Sequence, residues 1–249
     1  PTPFPTPQPT RTPVSAAMFD RYRLLVDAVL SLGITPPGLL ASSAFVATAI
    51  EPETPQQEAI NWLAFDDVLE LDAETDPPER IVQRYAAAVL YFGTVGGGWT
   101  NGTGWLNGTH ECEWFGIKCE SRMVAVYEES QVQVTVEEQM VKEINLADNN
   151  LFGLLPAEIG VFRYLDTLGL YSNLLGGNLP TSIGNLTMLE RLWIDNNYFQ
   201  GELPTEFGNL VALKQVDMYT NNFDGQLPTQ IGNLGNVTRF SAYDNRLEG

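Results

Sequence analysis

The sequence predicts an α/β solenoid of stacked 24-residue repeats that follows an α-helical amino-terminal region. The first observation is an internal period without gaps, which indicates a solenoid. The second is apolar spacing typical of helices between residues 15 and 92. The third is a pair of cysteines between these two parts of the 249-residue chain. The repeats cover 141–164, 165–188, 189–212 and 213–236, with part of a fifth from Val237 to Gly249.

The amino-terminal residues divide into a linker and a helical region. Residues 1–14 are rich in Pro and Thr, and proline favours an extended, polyproline-like chain. Apolar residues then recur at helical spacing up to residue 92. The expected elements are a helix from Ser15 that stops before Gly33, an apolar segment Leu39–Ala49, and helices over Pro55–Phe65 and Pro78–Phe92.

Residues 93–108 form a glycine-rich stretch with two tryptophans. A nucleotide-binding glycine loop follows a strand and opens a helix, whereas this stretch follows a helix and leads into the cysteines. We therefore expect turns, with Trp99 and Trp105 buried, rather than a phosphate site.

Cys112 and Cys119 are the two cysteines of the chain. Nearby cysteines can bind zinc in a reducing compartment, but a structural zinc site needs four ligands, and the chain offers one histidine and no further thiol. A local disulfide is favoured, and it would place the protein in an oxidising compartment.

Residues 122–136 are rich in β-formers and predict a β-hairpin. The expected features are Val132, Val134 and Val136 on one buried face, Met123–Tyr127 buried on both faces, and a turn at Glu128–Gln131.

Each recurring residue of the repeat has a structural role. Leu165, Leu168 and Leu170 point into the coil, and the residues between them form a short strand on the concave face. A recurring proline starts a short helical turn on the convex side. A recurring asparagine can bond backbone groups and form a ladder between coils. The asparagines are Asn149, Asn173, Asn197, Asn221 and Asn245.

Residues 141–249 resemble the plant-type extracellular leucine-rich repeat, written LxxLxLxxNxLxGxIPxxIGxLxx. Residues 112–119 read CEWFGIKC and are similar to the CxWxGVxC amino-terminal cap of that family, with Ile117 in place of valine. The resemblance implies a right-handed leucine-rich-repeat superhelix, a Cys112–Cys119 disulfide cap, and Trp114 packed on the first coil.

The helical sequences QQEAINWLAFDD and RYAAAVLYFGT, together with this cap, look like those of microalgal, diatom-type repeat proteins. That resemblance implies a secreted or membrane-anchored protein, often with a Pro/Thr-rich stalk. We therefore divide the chain into a linker (1–14), a helical region (15–92), a cap (93–140) and the solenoid (141–249).

Composition and charge limit the classes of partner that the protein can bind. The net charge of −18 disfavours nucleic acid and anionic membranes, because their phosphates would be repelled. No apolar run reaches the roughly 18 residues that a membrane helix needs, so any membrane anchor is expected outside this sequence. A solenoid end needs a cover, so further repeats or an assembly partner are expected beyond Gly249.

Catalysis has little support. The chain has a single histidine, His110, and no serine or cysteine lies in a recognisable setting for a catalytic nucleophile. The acidic pairs Asp66–Asp67 and Glu137–Glu138 are expected on a solvated face, and the aspartates lack EF-hand spacing for calcium. We expect a non-catalytic protein with no catalytic residue, metal site or cofactor.

The concave face is the candidate site. Exposed aromatic residues interleaved with acids suit a protein, peptide or glycan ligand, although tyrosines can also simply cover a sheet. The first hypothesis is an extracellular recognition module; the alternative is a structural or accessory subunit that contacts partners through helices, hairpin or repeat edges. The candidate residues are Tyr171, Trp193, Asp195, Asp217, Tyr219, Tyr243 and Asp244.

Four Asn-x-Ser/Thr sequons predict N-glycosylation, in agreement with an oxidising, secretory compartment. They lie at Asn101, Asn107, Asn185 and Asn236.

Overall fold

The computed structural model describes residues 16–31, 33, 35–40, 54–74, 76–127 and 133–248. Several sequence predictions fall outside these residues, namely the linker 1–14, residues 41–49 of the apolar segment, the hairpin turn Glu128–Gln131 with Val132, and Gly249.

Among the described residues, the amino-terminal region contains three α-helices, as the apolar spacing predicts. They are α1 Ala16–Leu30, α2 Pro55–Phe65 and α3 Pro78–Gly93. Helix α2 begins after Thr54, whose hydroxyl accepts a hydrogen bond from the Gln57 backbone N–H at 3.1 Å, and a proline occupies its first position. Both features favour a helix start.

A long antiparallel hairpin follows, formed by β1 (Ile117–Tyr127) and β2 (Gln133–Asn145). It is longer than the predicted 122–136. Strand β2 crosses from the cap into the first repeat, where it pairs with the next repeat strand only over residues 143–145. Val136 is half-buried.

The expectation that Met123 is buried on both faces is wrong, since 62% of it is exposed. Among the described residues, strand β1 is the edge of its sheet and pairs with β2 alone. The outer part of the hairpin, which contains Met123, extends past the pairing with the repeat strands.

The repeats build two sheets joined by short 3-10 helices. The strands are β3 Phe152–Leu154, β4 Thr167–Gly169, β5 Leu174–Gly177, β6 Arg191–Trp193, β7 Tyr198–Gly201, β8 Gln215–Asp217, β9 Asn222–Gln226, β10 Arg239–Ser241 and β11 Arg246–Glu248. The first sheet has the strand order β1-β2-β4-β6-β8-β10, and the second has the order β11-β9-β7-β5-β3. Neighbouring repeat strands are parallel, and in the first sheet paired residues lie one repeat apart, as in Thr167 with Arg191. The 3-10 helices are Ala157–Val161, Thr181–Asn185, Thr205–Asn209 and Thr229–Asn233, each preceded by proline.

The core between the sheets follows the predicted leucines, because Leu165, Leu168 and Leu170 are fully buried. The asparagine ladder is also present. In one copy, the Asn197 side chain accepts a hydrogen bond from the Leu175 backbone N–H at 3.0 Å and donates to the Leu170 carbonyl at 2.8 Å. Each asparagine thus satisfies backbone groups of the preceding coil that would otherwise be buried without partners.

Close stacking of the coils explains a recurring glycine. A Cβ at Gly184 would lie 2.6 Å from the Glu206 carbonyl oxygen of the next coil. Only glycine permits this approach without a backbone shift.

Helix α3 attaches the amino-terminal region to the first coil. The Gln83 side chain accepts a hydrogen bond from the Val141 backbone N–H at 2.7 Å and donates to the Gln139 carbonyl at 3.1 Å. The buried Glu158 carboxylate, in the first 3-10 helix, accepts a hydrogen bond from Thr35 at 2.6 Å. The helices and the repeats therefore share one core, and buried polar contacts fix their relation.

The prediction that Asp66 and Asp67 both lie on a solvated face is wrong for Asp67. Asp66 is exposed, whereas Asp67 is buried. The reason is Arg84 of α3, which is itself fully buried and forms an ion pair with Asp67 at 2.6 Å.

Candidate binding surface

The first sheet positions the predicted site residues on adjacent strands or just after them. Gly169, Trp193 and Asp217 are register partners on β4, β6 and β8. A Cβ at Gly169 would lie 3.5 Å from a carbon of the Trp193 ring. The glycine therefore leaves room for the indole, which lies half-buried against the neighbouring strand.

Two tyrosines of successive repeats form a stacked pair on this face. The rings of Tyr219 and Tyr243 are 4.6 Å apart between centroids and within 5° of parallel. Tyr219 is half-buried, and 66% of Tyr243 is exposed. The pair presents a large, ordered apolar surface with polar hydroxyl groups, which is the character of residues that anchor interfaces.

Asp195 fixes one member of this pair. A hydrogen bond with Asp195 raises the pKa of the Tyr219 hydroxyl, and desolvation and the negative charge of Asp195 act in the same direction. Asp195 also accepts a hydrogen bond from the Asn196 side-chain amide at 2.8 Å. The carboxylate thus favours the protonated form of the Tyr219 hydroxyl.

The prediction that Asp195 and Asp217 are exposed beside the aromatic residues is wrong. They are only 5% and 7% exposed, because Asp195 is bonded to Tyr219 and Asn196, and Asp217 lies 3.0 Å from the Arg239 guanidinium. Asp244 is exposed as expected and accepts a hydrogen bond from Thr220 at 3.2 Å. Tyr171 is half-buried. The buried aspartates therefore position their neighbours instead of facing a ligand.

Charged residues that were not among the predicted site residues border the aromatic face. Arg191 and Arg239 occupy the same strand position two residues before Trp193 and Ser241. Alternation along a strand places residues two apart on the same face, so this signal was available. Arg191 lies 3.2 Å from Asp166.

A ladder of exposed ion pairs continues along this border. Lys142 bonds Glu120 at 3.1 Å and Lys214 bonds Glu190 at 2.7 Å. These lysines lower the pKa of both glutamates, mainly through hydrogen bonds. Such surface pairs add little stability, so their main effect is on the electrostatic character of the border.

The cysteine segment forms the predicted disulfide. Cys112 and Cys119 are bonded, with their Cα atoms 5.5 Å apart. Trp114 is buried, and its ring centroid lies 5.1 Å from that of Trp105. Trp99 and Trp105 are buried as predicted.

The single histidine, His110, accepts a hydrogen bond from the Cys112 backbone N–H at 3.2 Å, which gives it a local structural role.

The four sequons differ in their surroundings. Asn107 and Asn185 are exposed. Asn236 is exposed, but its side chain donates to the Val211 carbonyl at 2.8 Å. Asn101 is half-buried, and its backbone is bonded on both sides by Asn149. The side-chain amide nitrogens of Asn107 and Asn185 are therefore the most accessible for attachment of a glycan.

Among the described residues, no group of three or more His, Cys, Asp or Glu side chains is arranged to hold a metal ion. In that part of the chain no helix combines the length and the apolar character needed to cross a membrane.

Comparisons with known proteins agree with this architecture. The Leucine Rich Repeat family matches residues 188–210. No curated protein sequence matches the chain. Among solved structures, the leucine-rich-repeat ectodomain of the receptor kinase SOBIR1 from Arabidopsis thaliana is similar, with a TM-score of 0.55 and 24% identity over 68% of this chain and 82% of the other. The BIR2 ectodomain from the same plant has a TM-score of 0.50 and 27% identity over 63% and 79%.

A third similar structure contains a bound partner. It is the ectodomain of the Arabidopsis thaliana receptor kinase GASSHO1/SCHENGEN3 in complex with CASPARIAN STRIP INTEGRITY FACTOR 2, with a TM-score of 0.50 and 29% identity. The match covers 60% of this chain but only 17% of that one. The chain thus contains a leucine-rich repeat and has a leucine-rich-repeat-type fold.

Proposed function

We propose that this leucine-rich-repeat chain is a non-catalytic recognition module that binds a protein or peptide through the concave face of its first sheet. The observation that carries the proposal is the stacked pair Tyr219–Tyr243, which projects from the concave face of the first sheet. Rigid aromatic anchors contribute much of the affinity at protein interfaces. Trp193 and Tyr171 extend the same surface along the neighbouring strands.

The similar structures support this choice of ligand class. The GASSHO1/SCHENGEN3 ectodomain is in complex with CASPARIAN STRIP INTEGRITY FACTOR 2 in its crystal structure, and solenoids commonly bind partners on the concave face. A glycan is the remaining ligand class on this face, but the aromatic pair and its charged border fit a protein surface better.

We also propose the finer features that the sequence predicts: a right-handed superhelix of 24-residue repeats, a disulfide cap at its start, and the four-part division of the chain. An extracellular or cell-surface location is supported by the disulfide, by the accessible sequons at Asn107 and Asn185, and by the similarity to plant ectodomains.

A second candidate role is that of an accessory subunit in a larger assembly. The hairpin favours it, because β1 leaves one strand edge unpaired among the described residues and exposes Met123. An unpaired edge can accept a strand from a partner.

Native purification with attached partners, followed by binding measurements, tests the proposal. Replacement of Tyr171, Trp193, Tyr219 and Tyr243 together by alanine should weaken partner binding by about 100-fold or more, since hot-spot residues each contribute about 2 kcal/mol or more. Tyr198→Ala is the matched control, because Tyr198 is an exposed tyrosine on the second sheet. Unchanged binding in the fourfold variant would exclude the concave face, and loss of binding after changes in the hairpin would favour the assembly role.

A further inference from the structure

The second sheet has an outward face that the proposed function does not use. Leu175, Phe199 and Phe223 of this sheet point into the core and are fully buried. Residues alternate along a strand, so their neighbours face outward. The strand register arranges these outward residues in rows, in which Gly176 pairs with Tyr198 and Gln200 pairs with Asn222.

One end of this face is apolar. Tyr198 is 58% exposed. Its register partner Gly176 carries no side chain, so the tyrosine ring is not covered from that side. Leu154 lies one strand further on, as the partner of Gly176, and is also exposed.

The other end is a polar groove of about 480 Å³, within the usual range for small-molecule sites. Within the described residues, none of its lining side chains has a hydrogen-bond or ion-pair partner. They contrast with the ladder asparagines, whose amides are bonded to backbone groups. The groove is lined by Asn178, Gln200, Gly201, Asn222, Asp224 and Arg246.

The groove is neutral in a strongly acidic chain. Its lining holds one carboxylate, Asp224, and one guanidinium, Arg246, which are register partners on β9 and β11. The chain as a whole has a net charge of −18. A charged ligand therefore gains no net attraction from this lining. Three side-chain amides supply both hydrogen-bond donors and hydrogen-bond acceptors. This combination matches hydroxyl groups, which can also donate and accept hydrogen bonds.

We propose that this groove binds a neutral glycan chain. One sugar ring stacks on Tyr198, and the adjacent sugars form hydrogen bonds with Gln200 and Asn222. The electron-rich face of an aromatic ring attracts the weakly positive C–H groups on a sugar face. A peptide that extends the sheet fits less well, because strands β7 and β9 at the groove are paired on both sides and offer no free edge.

Calorimetric titration with four neutral hexasaccharides, cellohexaose, laminarihexaose, mannohexaose and xylohexaose, tests the site. At least one should bind the full chain. Tyr198→Ala and the double variant Gln200→Ala/Asn222→Ala should each weaken that binding about tenfold or more, through loss of stacking and of hydrogen bonds. Tyr198→Phe should keep most of it, because the ring remains. Asn233→Ala, which removes an exposed amide from a 3-10 helix, should leave it unchanged.

The outcomes separate this site from the proposed protein-binding face. The inference is overturned if none of the four hexasaccharides binds, or if binding survives Tyr198→Ala. It is also overturned if binding is lost with Tyr219→Ala and Tyr243→Ala instead, because the sugar would then occupy the first sheet. Loss of the protein partner after those first-sheet changes leaves the glycan site untouched.

Discussion

Arg84 and Asp67 form a doubly bonded ion pair in which Nε and Nη2 of the arginine each lie 2.6 Å from a carboxylate oxygen. Neither side chain is exposed. The guanidinium also lies 5.0 Å from the ring centroids of both Trp62 and Trp114, and it bonds Glu111 at 3.1 Å. Helix α3, the loop after α2 and the cysteine segment are thereby joined at one buried point.

Loss of this ion pair should destabilise the protein strongly. Asp67→Asn removes one of the carboxylates that balance the buried positive charge of Arg84. Such changes lower the free energy of unfolding by about 3–5 kcal/mol. The adjacent exposed carboxylate gives a matched control, because Asp66→Asn should change the unfolding free energy by less than about 0.5 kcal/mol. Urea unfolding measures both. Equal, small effects would show that the buried pair contributes no stability.

The recurring glycine should be required only where another complete coil follows. Gly184→Ala places a Cβ 2.6 Å from the Glu206 carbonyl oxygen, and such overpacking costs about 1–3 kcal/mol. Gly232 occupies the same repeat position, but a Cβ there has no atom within 4 Å. Gly232→Ala should therefore be nearly neutral in urea unfolding. Similar losses for both variants would contradict close coil stacking as the reason for the glycine.

The disulfide should stabilise the cap and report the compartment. Cys112 and Cys119 enclose a loop with a sequence separation of 7, for which chain entropy predicts a stabilisation of about 2 kcal/mol. The double variant Cys112→Ser/Cys119→Ser should lose that amount in urea unfolding. In native protein, a peptide that spans residues 112–119 should become heavier by two hydrogen atoms on reduction. An unchanged mass would show that the cysteines are free in the native compartment.

The hydrogen bond between Asp195 and Tyr219 should appear in a tyrosine titration. Because the folded-state pKa of Tyr219 is raised above its usual value of 10.0, this contact stabilises the fold below pH 10 and is lost as the pH rises further. Asp195→Asn should lower the Tyr219 pKa toward its usual value in an ultraviolet difference titration, with Tyr219→Phe used to assign the signal. Asp244→Asn is the control and should leave it in place; an unshifted pKa in Asp195→Asn would exclude the contact.

Periodicity predicted the parts of the molecule that repeat. The bounds of α2, the buried leucines and the asparagine ladder follow from local spacing, so the sequence alone was sufficient for them. Asp67 and Arg84 are 17 residues apart in a region without repeats, and no local pattern links them. The repeat register places Asp217 at the end of its strand and Asp195 just after its own, but the burial of both depends on Tyr219 and Arg239 from the next coils.

Hydroxyl-radical footprinting of the partner-bound protein tests recognition through the first sheet most directly, because it reports the exposure of individual side chains. We predict that partner binding slows oxidation of Trp193, Tyr219 and Tyr243, while exposed Tyr198 on the second sheet oxidises at the same rate as in the free protein. Protection confined to Met123 and the hairpin, with these three first-sheet residues unchanged, would contradict it.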